Sequence, residues 1–190
     1  MDAVFDPHIL PVYLRYNRLT ARTLGHLLTD FGDIADTAAQ AYGRQFAGLV
    51  HMPSLEIETA QTGDSIKFTL GEGWLPSISS DNNHDIVINT PRKLGIPLLV
   101  GYLMLSAAEK VLDIHSNILE DRIKQIELKL KQEELNKIMT LDHESAPQLL
   151  RQASGTLNTV FINQDITVFQ LYDIDIINLR DKNRGKHHKE

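Results

Sequence analysis

The residues best equipped for chemistry gather in one polar loop, Gly71 to Asp85, around the sole tryptophan, Trp74. Within it, Asp81, Asn82, Asn83, His84 and Asp85 bring carboxylates, amides and an imidazole together, and their D-x-N-x-D spacing matches the opening of a calcium loop. A calcium loop needs Gly at its sixth position for a sharp turn and Glu at its twelfth as a bidentate ligand. Here the sixth residue is Ile86 and the twelfth is Arg92, so the motif fails and no metal is expected. Ser77, Ser79 and Ser80 follow Pro76 without an identifiable general base. The chain has eight histidines, but none stands in an H-x-H or H-E-x-x-H arrangement that would place two imidazoles on one metal. Gly71-Glu72-Gly73 is not a phosphate loop, and no G-x-S-x-G nucleophile elbow occurs. These absences lean away from an enzyme, and no cofactor is expected.

A second candidate is a cationic rim. Arg15 and Arg22 flank Thr20 where a strand gives way to a helix, and the free amides of a helix start favour anions. With Thr62, Asp64 and Trp74 they would border one end of a sheet and hold a small ligand or a partner's segment. The plainer reading is that the arginines are solvated or pair with acids such as Asp30 and Asp33.

The totals limit what can surround these residues. A chain of 190 residues, 42% apolar and 23% charged, is a folded globular protein of one ordinary domain, or a small domain with a helical arm. Its net charge of -6 disfavours nucleic acid, because neutralising phosphates requires a cationic face. Without cysteine there are no disulfides, thiolate catalysis or cysteine-ligated zinc, which suits a reducing compartment. The opening MDAVFDPHILPVYLRY has acids at Asp2 and Asp6 and no cation ahead of an apolar core. No secretory leader is therefore expected, and a cytoplasmic location follows, with the inner face of a membrane as the alternative.

The elements that would position the candidates follow from periodicity. Leu10 to Tyr16 is a β-favouring run, and Asn17 to Thr20 offers side-chain oxygens to cap a helix. From Ala21 to Phe46, Leu24, Leu27, Leu28, Phe31, Ile34, Ala35, Ala38 and Ala39 advance by three or four, drawing one apolar stripe down a helix. In Ser54 to Leu70 apolar and polar residues alternate on both sides of Thr62-Gly63-Asp64-Ser65, which predicts a β-hairpin. Residues 1–90 thus read as a β-α-β-β unit: an antiparallel sheet with a helix packed across it, in an α+β fold. Asp85 to Asn89 offers one further short strand.

The chain is organised around Lys93 to Met139, within residues 91–140. Leu94 to Ala108 contains fifteen consecutive uncharged residues, with Pro97 suited to a first helical turn. Leu112, Leu119, Ile123, Ile126 and Leu130 then form an apolar seam, flanked by the favourably ordered pairs Glu120–Lys124 and Glu127–Lys131. Tyr102 to Met139 lacks Gly and Pro and would extend roughly 55 Å as one helix. A helix that long would protrude, or pack along a second copy as a coiled coil. In residues 141–179 a helix carrying Leu149, Leu150, Ala153, Leu157, Val160 and Phe161 precedes a strand, or tight pair of strands, over Asp165 to Asn178. Those strands would join the first sheet or a neighbouring subunit's. Arg180 to Glu190 lacks apolar groups and is expected to be disordered.

Three functional classes fit this reading. The first is a non-enzymatic interaction module whose long helix self-associates or docks on a helical partner. The second is a membrane-associated sensor or effector inserting residues 94–108, with Leu98, Leu99, Val100, Leu103 and Leu105 at its centre. Fifteen helical residues reach only about 22 Å against a hydrocarbon core of ~30 Å, which favours a buried or interfacial helix over a span. The third is a ligand-binding or enzymatic domain centred on the loop 71–85.

Overall fold

The computed structural model describes residues 9–18, 20–46, 53–61, 65–72, 95–130, 145–162 and 165–185. The fold is α+β. Strand β1 (Ile9–Tyr16) precedes helix α1 (Ala21–Phe46) and the hairpin strands β2 (Pro53–Gln61) and β3 (Ser65–Glu72). Helices α2 (Ile96–Val111), α3 (Asn117–Leu130) and α4 (Ser145–Ile162) follow, then β4 (Ile166–Leu171), β5 (Ile174–Asp175) and helix α5 (Ile176–Arg184). The five strands form one antiparallel sheet in the order β2-β3-β1-β4-β5. The C-terminal strands therefore join the first sheet, with β4 pairing directly against β1.

Alternation along β1 sets the two faces of that sheet. Leu10, Val12 and Leu14 are fully buried, whereas Pro11 and Tyr13 between them are half-buried and Ile9 and Arg15 at the two ends of the run are exposed. The inner face receives α1 and α2, and α4 packs across both helices. Phe31 of α1 meets Phe68 of β3 edge to face, with ring centroids 5.5 Å apart. Phe161 near the end of α4 meets Phe169 of β4 in the same manner at 6.4 Å. Thr20 starts α1 by accepting the Thr23 amide on Oγ1 at 3.2 Å, as its capping chemistry predicts.

The apolar block is the centre of this core. α2 rests on β1 and β3 and is enclosed by α1, α3 and α4, so a helix that is apolar all round has a neighbour on every side. Leu98, Leu99, Val100, Leu103 and Leu105 are all buried, and burying each large side chain is worth about 1.5–3 kcal/mol. Gly101 lets the Tyr172 side chain approach the helix closely, because a Cβ there would come within 2.7 Å of the tyrosine hydroxyl oxygen. No helix among the described residues is long and apolar enough to cross a membrane.

The single long helix expected across this region is instead two helices. α2 stops at Val111, and Asp113 turns into the left-handed region at φ 51°. The Leu112 amide donates to the Ala108 carbonyl and the Ile114 amide reaches back to the Glu109 carbonyl, both at 3.1 Å. Those bonds satisfy carbonyls that the helix end leaves free, in the manner of a Schellman cap. His115 accordingly lies between helices, not within one. With α3 folded back on α2, Leu119, Ile126 and Leu130 are fully buried and Leu112 and Ile123 pack half-buried against the same core. The seam is intramolecular. The Tyr102 hydroxyl fastens the two helices by donating to Glu127 Oε1 at 3.3 Å, and burial, then the Glu127 charge, raises its pKa above the usual phenol value.

The polar tail is also partly ordered. Tyr172 and Asp173, at φ 49° and 61°, make the tight turn between β4 and β5. Asp175 then caps α5 by accepting the Asn178 amide at 2.9 Å, so Arg180 to Arg184 are helical. Residues 186–190 lie outside the described residues.

Candidate functional site

Of the cationic rim, the described residues include Arg15 and Arg22. Arg15 is exposed on β1, opposite Ser65 of β3 and Val168 of β4, and Arg22 is exposed in the first turn of α1. Thr62, Asp64, Trp74 and the loop residues 73–85 lie outside the described residues. Among the described residues no three His, Asp or Glu side chains come together as a metal site would require.

Asp30 and Asp33 both belong to α1. They line a cleft of about 250 Å³ between α1 and α4, opposite Gln152, Gly155, Thr156 and Thr159. Desolvation, then the neighbouring Asp33 charge, raises the Asp30 carboxyl above its ordinary value, while His26 lowers it. The Thr156 hydroxyl, nearly fully buried, donates to the Gln152 backbone carbonyl at 3.0 Å.

The more developed surface lies where the α2–α3 turn meets α5. Asn183 of α5 donates through Nδ2 to the Asp113 carbonyl at 2.5 Å, clasping the turn. A cleft opens on each side of this clasp. One, of about 260 Å³, is lined by Val111, Leu112, Asp113, Arg180, Asn183 and Arg184. The other, of about 350 Å³, is lined by His115, Ser116, Asn117, Ile118, Leu179, Lys182 and Asn183. Val111 is 40% exposed and Ile118 61%, so each cleft offers an apolar side chain beside cations. The Arg180 guanidinium sits over the Phe161 ring, 4.9 Å from its centroid, which fixes its position. The Asp113 carboxylate is turned to His115, with Oδ1 3.1 Å from Nε2.

Sequence reasoning overlooked this corner because its two halves looked inert. Asp113 resembles any solvated acid on a helix, and Arg180 to Arg184 follow the last apolar residues of the chain. The available signal was Asp175 three residues before Asn178, a capping geometry that starts a helix.

No protein-family model matches this chain, and no curated protein or solved structure matches it.

Proposed function

We propose that the protein is a non-enzymatic interaction module that docks a partner at the corner formed by the α2–α3 turn and α5. The observation that carries this reading is the exposure of Val111 and Ile118 on two clefts joined by one clasp. Apolar groups presented beside polar ones on a well-supported element are the usual make-up of a docking surface, where a few buried anchors supply most of the affinity. Leu119, Ile126 and Leu130, which would otherwise serve a helical partner, are already buried within the chain. Aliphatic side chains stay exposed on the outside of the turn, and singly elsewhere among the described residues at Ile57, Leu128 and Ile162; at the turn they stand beside two clefts. A cysteine-free chain suits the cytoplasm, and a second copy of the protein is the alternative partner to a different protein.

A photo-activated cross-linker replacing Ile118 tests this reading in cells, with the same cross-linker at exposed Glu56 as control. A discrete adduct from position 118 that disappears when Val111 is changed to Glu is the expected result. Equal adducts from both positions, or none from position 118, would remove the docking role of this corner.

A further inference from the structure

We infer that the partner segment seated at this corner is an acidic amphipathic helix, an assignment that rests on the docking role proposed above. The argument is charge placement. The chain as a whole is net -6, yet from Ile176 to Glu190 it carries five cations and two acids. Arg180 and Arg184 line one cleft and Lys182 the other, so the cations are divided between both sides of the Asn183–Asp113 clasp. Among the described residues, none of the three forms an ion pair. The one carboxylate lining these clefts, that of Asp113, stands against three cations and has its Oδ1 3.1 Å from His115 Nε2.

Lys182 and Arg184 also complement the carbonyl end of α5, which accounts for cations in its last turn. That role does not require apolar neighbours. Here Val111 and Ile118 stand exposed beside the same cations. A helix with an apolar stripe flanked by carboxylates matches both features, its stripe covering the exposed aliphatic groups and its acids meeting the guanidinium and ammonium groups. Opposite charge across such a surface speeds encounter and excludes basic competitors, and its effect weakens with salt.

The test uses the full chain and a fluorescent helical peptide with Leu at i, i+4 and i+7 and Glu on the flanks, read by anisotropy. A matched peptide with Lys in place of every Glu is the comparison. The Glu peptide should bind about tenfold more tightly than the Lys peptide, and lose about tenfold in affinity in high salt. Lys182→Glu with Arg184→Glu, both at exposed positions, should weaken it by a similar factor, with a cooperative thermal transition retained and lowered only slightly by the two acids now at the carbonyl end of α5. Equal affinity for both peptides that still depends on Ile118 would overturn the acidic assignment and leave the docking role standing. Binding indifferent to the charge reversals would overturn it as well. No peptide binding, with an Ile118-dependent dimer in light scattering, would make a second copy the occupant. Neither binding, dimer nor cross-link at position 118 would remove both readings.

Discussion

Asp113 is a single residue that decides the course of the chain. Its φ of 51° is a conformation in which an L side chain crowds the backbone and glycine does not. Aspartate tolerates it better than most residues, because its short polar side chain can bond locally. Asp113→Gly should therefore stabilise the fold by about 0.5–1 kcal/mol, the relieved crowding being offset by extra freedom in the unfolded chain. Chemical denaturation would show a higher midpoint with an unchanged slope; a lower midpoint would mean that the His115 contact matters more than the backbone. The break was illegible in the sequence for the same reason. A glycine at position 113 would have marked a helix end, whereas an aspartate between Leu112 and Ile114 preserves the apolar rhythm of a continuous helix.

At the scale of elements, local rules succeeded wherever a segment's fate depended on its own spacing. The stripe from Leu27 to Ala39 is buried in α1, and the alternation around residues 62–64 gives the β2–β3 hairpin. The packing of α1 on α4 was not legible, since nothing in either helix names its neighbour. That packing leaves Asp30 half-buried beside Asp33, with its pKa raised by desolvation first and by Asp33 second. A carboxyl whose folded pKa lies above its unfolded value stabilises the fold below the unfolded value, and that contribution is lost as pH rises through the folded one. At neutral pH the ionised Asp30 is thus a cost, and Asp30→Asn should raise stability by up to about 1 kcal/mol, the screened range for a partly exposed charge. The gain should vanish in melts carried out below pH 3.8, the ordinary value for the group. A variant equally stabilised at both pH values would show that charge is not the cause. The candidate site was legible in part only: Arg15 and Arg22 are exposed at the strand–helix junction, but the α2–α3–α5 corner depends on a helix break and a distant helix meeting.

For the whole molecule, the decisive fact is that the apolar seam faces inward. Leu119→Asp with Ile126→Asp would place two charges in a core where both native side chains are fully buried. Each uncompensated buried charge belongs to the most damaging class of substitution, at about 4–5 kcal/mol or more, against a total domain stability of roughly 5–15 kcal/mol. The expected outcome is loss of the cooperative thermal transition in circular dichroism. A coiled coil held by this seam would instead fall apart into folded monomers, with a change in light-scattering mass.

The position of β1 in the middle of the sheet has a further consequence, for the timing of synthesis. β1 precedes every other described strand, yet one of its two partners, β4, follows long after it; the Thr167 hydroxyl donates to the Arg15 carbonyl across 152 positions of sequence. Closing so long a loop is entropically slow, and while the ribosome is still working, one edge of β1 has no strand beside it. Until β4 emerges, the amides and carbonyls along that edge of β1 lack their strand partner, and an unpaired strand edge is the kind of surface that makes an incomplete chain prone to aggregate. The strand that ends in the middle of the sheet therefore waits longest, among the described strands, for its second neighbour.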